Sequence, residues 1–151
     1  MPRPQMTDDE RDAFLAEPHV AVLSVAGGGD RPPHSVPVWY AYGPGGHFTF
    51  FTGTTGRKAR KTGLIETAGA LSLCVQREEF PYKHVSMEGT VVQTDRPPAA
   101  ERMLAIARRY LPEDAAQGFV AQEVHNPGPD LVLFTVRPDR WLTADFGGEA
   151  G

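Results

Sequence analysis

Cysteine is almost missing from this 151-residue chain, where Cys74 stands alone. An internal disulfide is therefore excluded, and nothing points to an oxidising compartment. Long apolar runs are missing as well. No stretch is long and apolar enough to span a membrane, and Met1-Pro2-Arg3-Pro4 is not followed by the apolar core of a signal peptide. These absences predict a soluble, cytoplasmic protein. A surplus of positive charge is also lacking. With 15 Lys and Arg against 19 Asp and Glu, the net charge is -4, so the chain has no global basic footprint for nucleic acid.

Catalytic signatures are just as scarce. The histidines His19, His34, His47, His84 and His125 show no metal-ligand spacing, so no metal site is expected. No G-x-S-x-G is present to make a hydrolase elbow, and no G-x-G-x-x-G follows a strand to bind a dinucleotide. Gly53-Thr54-Thr55-Gly56-Arg57-Lys58 only faintly resembles a Walker A loop: its glycine spacing differs, and no Ser or Thr follows the Lys to hold Mg²⁺. Glu78-Glu79 reads as a solvated turn. Cys74 lies in the apolar run Leu71–Val75 and reads as core filler.

What the chain does have is a focal stretch, His47 to Lys61. Its first half reads as a strand, with Phe48 and Phe50 on one face and Thr49 and Phe51 on the other. Gly53 and Gly56 then permit a tight turn with exposed amides. A helix is expected over Arg57–Glu66, and its first turn holds Arg57, Lys58, Arg60 and Lys61. Cations are disfavoured at that end of a helix, where the dipole is already positive. Two readings fit: a solvated basic loop, or a phosphate held by backbone amides, a Thr hydroxyl and a guanidinium fork.

The rest of the chain supplies a frame for that stretch. Residues 1–6 and 147–151 read as disordered tails of a single domain. Thr7 with Glu10 makes a capping box for a helix ending near Ala16. Strands are expected over His19–Ala26 and Ser35–Tyr42. Pro37 puts the second of these at a sheet edge or a bulge, because it has no amide hydrogen for a neighbour. Ala70–Gln76 and Tyr82–Thr94 follow as strands, with a bulge at Gly89. Asp95 is expected to cap a helix that ends at Pro112, and a shorter helix covers Glu113–Glu123. The closing strands are Leu131–Val136 and Trp141–Phe146, split by Pro138. Such a chain is mostly β within an α+β class: a small antiparallel split barrel with two or three peripheral helices.

Three segments in order resemble a known family. Phe50-Phe51-Thr52 followed by Arg57-Lys58 resembles the cofactor-phosphate motif of the pyridoxamine 5′-phosphate oxidase-like split β-barrels. Val36-Pro37-Val38-Trp39-Tyr40 is similar to the preceding family strand, and Tyr82 to Val91 is similar to a later strand of the flavin/deazaflavin branch. The resemblance spans Asp8 to Asp145. It implies a homodimer with FMN or the deazaflavin coenzyme F-420 at the subunit interface. Thr52, Arg57 and Lys58 would hold the phosphate, with Phe51 beside them. Val36, Pro37, Val38 and Trp39 would line the ring, and His84 would make a polar ring contact. Arg60 and Trp141 are further cofactor candidates. His84 is the candidate proton donor, with Tyr82 as the other option. An Arg-x-His motif of true pyridoxamine phosphate oxidases is absent from Val136 to Gly151, so the resemblance does not extend to the vitamin B6 reaction. It implies an oxidoreductase acting on a small organic substrate, with a non-catalytic flavin- or haem-binding barrel as the alternative. A nucleic-acid surface built from the 57–61 cluster with Phe80 and Tyr82 is disfavoured by the net acidity.

Overall fold

The computed structural model of the chain describes residues 5–43, 45–54 and 59–147. Among these, seven strands form one antiparallel sheet: β1 Ala21–Val25, β2 His34–Val38, β3 Ala41–Tyr42, β4 Phe48–Thr52, β5 Ala70–Arg77, β6 Lys83–Asp95 and β7 Val132–Asp145. Their order is β2-β1-β5-β6-β7-β4-β3. Four helices accompany them: α1 Asp8–Ala16, α2 Arg60–Ala68, α3 Ala100–Ala107 and α4 Glu113–His125.

The two edge strands, β2 and β3, are joined only by Trp39 and Tyr40. Three Cα steps reach about 11 Å at most. Opposite edges of the sheet are thus held close together, and the sheet has to curl into a barrel with one open seam. Tyr110 serves the seam: its hydroxyl accepts the Tyr40 amide at 3.2 Å and donates to the His19 carbonyl at 2.7 Å. Tyr40 is itself buried, and its hydroxyl donates to the Leu15 carbonyl at the end of α1.

Alternation along the strands produces two cores. Phe48, Phe50, Leu23, Leu73, Met87 and Phe134 fill the barrel, and each fully buried large side chain contributes about 1.5–3 kcal/mol. Phe51 points the other way, into a second core with Met103, Ile106, Val120 and Leu133 under α3 and α4. This opposition of Phe50 and Phe51 is the period-2 pattern expected from the sequence.

Several local expectations hold. Thr7 and Glu10 form the reciprocal capping box at 3.1 and 2.9 Å. Pro37 lies in an edge strand, opposite Val22. At Gly89 the register shifts against β7; a Cβ there would meet Val136 Cγ1 at 2.6 Å and the Arg137 carbonyl at 2.7 Å.

Other expectations need correction. The strand expected over Ser35–Tyr42 divides between the two sheet edges, because the seam falls at Trp39-Tyr40. Asp95 ends β6 instead of capping α3; Pro97 and Pro98 delay that helix until Ala100, since prolines lack amides and disfavour α geometry just before them. Asp95 pairs instead with Arg102 at 2.9 Å. β7 runs unbroken through Pro138, which sits opposite Gly89 at the register shift, where a missing amide is tolerated. The helix expected from Arg57 begins at Arg60, with Ala59 as its extended N-cap. Met6, placed in the N-terminal tail by its sequence, donates its amide to Thr143 Oγ1 at 3.0 Å. Cys74 is no core filler: alternation turns it to the outer face, half-buried between Val22 and Ser86.

Candidate functional site

The site begins where β4 ends. Thr52 is fully buried, and its hydroxyl meets Thr62 Oγ1 at 2.6 Å and the Asp130 carbonyl at 3.0 Å. Gly53 follows with φ of 74°, and a Cβ at that position would collide with the Asp130 carbonyl. Both the left-handed backbone and the close approach require glycine there. At the far side of the turn, the Ala59 amide donates to Asp130 Oδ2 at 2.8 Å. Asp130 thus touches the chain on both sides of the glycine turn. Residues 55–58, including the phosphate candidates Arg57 and Lys58, lie outside the described residues.

Beside this turn, at the barrel seam, is a cavity of about 280 Å³ lined by Val20, Pro37, Val38, Trp39, Phe51, Thr54, Lys61 and Phe119. Its walls are aromatic. Trp39 stacks on Tyr110 with centroids 5.0 Å apart, and Phe119 tilts against both Trp39 at 5.8 Å and Phe51 at 6.1 Å. Lys61, in the first turn of α2, brings a cation to this apolar setting. That turn contains no acidic residue, and no described carboxylate forms an ion pair with Lys61. Burial lowers its pKa from the usual lysine value. Wider depressions elsewhere, of about 460 to 620 Å³, all have carboxylates in their lining, whereas this cavity has none.

Of the residues singled out in the sequence, the cavity brings together Pro37, Val38, Trp39 and Phe51. Thr52 lies just behind it, its hydroxyl turned into the protein. Val36 packs against the barrel core. Arg60 reaches away, to the Gly27 carbonyl at 3.1 Å and His34 Nδ1 at 3.3 Å. Trp141 sits under Arg11, whose guanidinium is 4.1 Å from its ring centre. His84 lies on the outer face opposite Gln76 and Ala144. Continuing the ladder one step past Ala21–Val75 aligns Val20 with Gln76, so His84 is two strand spacings, roughly 10 Å, from the cavity rim.

Val20, Thr54, Lys61 and Phe119 are cavity residues that the sequence did not single out as such. Lys61 carried a signal, as a cation misplaced at a helix start. Phe119 carried none, because only the docking of α4 brings it to β4.

Solved structures of similar shape fit this architecture. An F420 reductase is 24% identical, with 87% of this chain and 94% of that one covered and a TM-score of 0.66. An FAD-binding protein from Mesorhizobium loti is 19% identical over 95% and 97% of the two chains, with a TM-score of 0.61. A haem storage protein from Vibrio cholerae is 13% identical over 89% and 92%, with a TM-score of 0.64. At these identities the likeness establishes the fold alone. No curated protein matches the chain. The sequence profile described as Pyridoxamine 5'-phosphate oxidase matches residues 7–145, nearly the whole chain. The chain therefore belongs to the pyridoxamine 5′-phosphate oxidase family.

Proposed function

We propose that the protein is an oxidoreductase that uses FMN or the deazaflavin F-420 to act on a small organic substrate. The observation that carries this reading is the seam cavity, where aromatic walls and a half-buried cation without a described counter-ion adjoin the glycine turn. A flat, anionic heterocycle fits that donor set: rings on Trp39 and Phe119, negative charge toward Lys61, and a phosphate toward the turn. At about 280 Å³, the cavity is at the lower limit for a small-molecule site, roughly 300–1,000 Å³. One chain would therefore enclose only part of such a ligand.

A second copy of the chain would enclose the rest. The outer face carries a row running Pro37, Val22, Cys74, Ser86 and Leu142 across five strands. These side chains are small or apolar and uncharged, and Val22 and Leu142 are exposed. The row starts at the cavity and suits an interface between copies, of about 1,600 Å² or more. A monomer in sedimentation that binds the cofactor at full affinity would contradict this shared site.

Hydride-type chemistry is supplied by either group when bound. The protein's own work is binding, orientation and exclusion of water by Trp39, Phe51 and Phe119. His84 is the proposed proton-holding group; it would act at the site of a partner copy, or at its own once the outer face is covered.

Titration of FMN and F-420 tests the reading with Arg57→Ala, Lys58→Ala and the control Arg77→Ala. Loss of one charge-assisted contact should weaken binding roughly tenfold to a hundredfold in the first two variants and leave the control unchanged. Equal affinities across the set would make Arg57 and Lys58 solvated cations with no part in the site. Tight binding without turnover of any reductant or oxidant would favour a cofactor carrier.

A further inference from the structure

We propose that Asp130 is the positioning residue of this site, acting through the start of α2 to place Lys61 at the cavity wall. The inference rests on the flavin-type reading above. Asp130 lies in the connection between α4 and β7, more than 65 positions from everything it holds. Its carbonyl accepts the Thr52 hydroxyl at 3.0 Å, and the Thr62 hydroxyl, 2.6 Å from Thr52 Oγ1, lies 3.3 Å from the same carbonyl, so the cluster ties the end of β4 to the third residue of α2. Its carboxylate accepts the Ala59 amide at 2.8 Å. Ala59 is the extended N-cap of α2, and no side chain of the helix's own caps it. A carboxylate beside a helix N-terminus also offsets the dipole there. Thr62 is fully buried and Lys61 is its neighbour, so fixing Ala59 on one side and Thr62 on the other leaves Lys61 little freedom.

This division of labour explains two features of the site. Cations in the first turn of α2 would ordinarily be compensated by acidic residues of the same turn, yet none is present. The compensating carboxylate comes from a distant loop, and it bonds a backbone amide instead of an ammonium. Among the described residues Lys61 thereby has no ion-pair partner, and it lines the cavity together with Trp39, Phe51 and Phe119, available to an anionic ligand.

The experiment is a double-mutant cycle on the full chain, read as FMN affinity by equilibrium titration. Asp130→Ala removes the carboxylate but keeps the carbonyl contacts; Asp130→Asn keeps an oxygen acceptor for Ala59. If Asp130 acts through Lys61, Asp130→Ala and Lys61→Met should each weaken FMN binding by roughly tenfold, the pair together no more than either alone, and Asp130→Asn should stay near wild type. Thermal melts run alongside identify any variant that fails to fold, and Asp130→Asn then carries the comparison with Lys61→Met. Wild-type affinity in Asp130→Ala, or losses that multiply fully in the double variant, overturns the proposal while leaving the cofactor reading intact. Wild-type protein that binds neither FMN nor F-420 overturns both.

Discussion

Trp39 and Tyr110 stack across the barrel seam, with ring centroids 5.0 Å apart and planes 5° from parallel. The pair does two jobs at once. Its indole forms a cavity wall, while its phenol hydroxyl bonds the backbone at Tyr40 and His19 where the sheet has no strand-to-strand ladder. Seam and site are therefore mechanically linked.

Tyr110→Phe separates the two jobs. The stack survives, but the Tyr40 amide and the His19 carbonyl lose their partner, and leaving such groups unsatisfied costs about 1–3 kcal/mol. Chemical denaturation should show that loss, with ligand affinity changed by less than the Lys61→Met variant changes it.

Alkaline pH should destabilise the fold. Burial raises the pKa of Tyr40, Tyr42 and Tyr110 above the ordinary value of 10.0. In the unfolded chain these phenols ionise first, so the stability they contribute is present below pH 10 and is lost as pH rises above it, by up to about 1.4 kcal/mol per pH unit for the buried Tyr40 and by less for Tyr42 and Tyr110, which solvent screens. Lys61 works in the opposite sense. Its folded pKa lies below 10.5, so the unfolded chain binds its proton more tightly and stability gains as pH rises toward that value. Denaturation midpoints from pH 8 to 11 should fall less steeply in Tyr40→Phe and more steeply in Lys61→Met than in wild type.

Glycines at two positions should respond in opposite directions. Gly89→Ala forces a methyl group against Val136, Arg137 and the Met87 sulfur at 2.6–2.7 Å, and overpacking of this kind costs about 1–3 kcal/mol. Gly118 lies in α4 with open space around it, so Gly118→Ala should stabilise by about 0.5–1 kcal/mol. Thermal melts of the two variants check both signs.

Where the chain's chemistry is local, the sequence was readable. Thr7 and Glu10 make their capping box within one helical turn, Pro37 marks an edge because it lacks a donor, and Gly89 marks a bulge because only glycine fits there. The seam at Trp39-Tyr40 was not readable, since neither residue is a turn former and the break depends on Tyr110, seventy positions away. For the same reason the site was half legible. Pro37 and Val38 lie on β2, Trp39 directly follows it, and Phe51 lies on β4, all in segments with recognisable patterns, whereas Phe119 and Asp130 arrive from the distant α4–β7 region.

The central claim is that the seam cavity seats a flavin-type ring against Trp39. The chain has two tryptophans, so Trp141→Phe leaves Trp39 as the single indole reporter. Titrating FMN and F-420 into that variant while following tryptophan fluorescence tests the claim directly. Saturable quenching of Trp39 by at least one of the two, absent from the reciprocal Trp39→Phe variant, is the predicted result. Quenching by neither ligand, or equal quenching when only Trp141 remains, would contradict it.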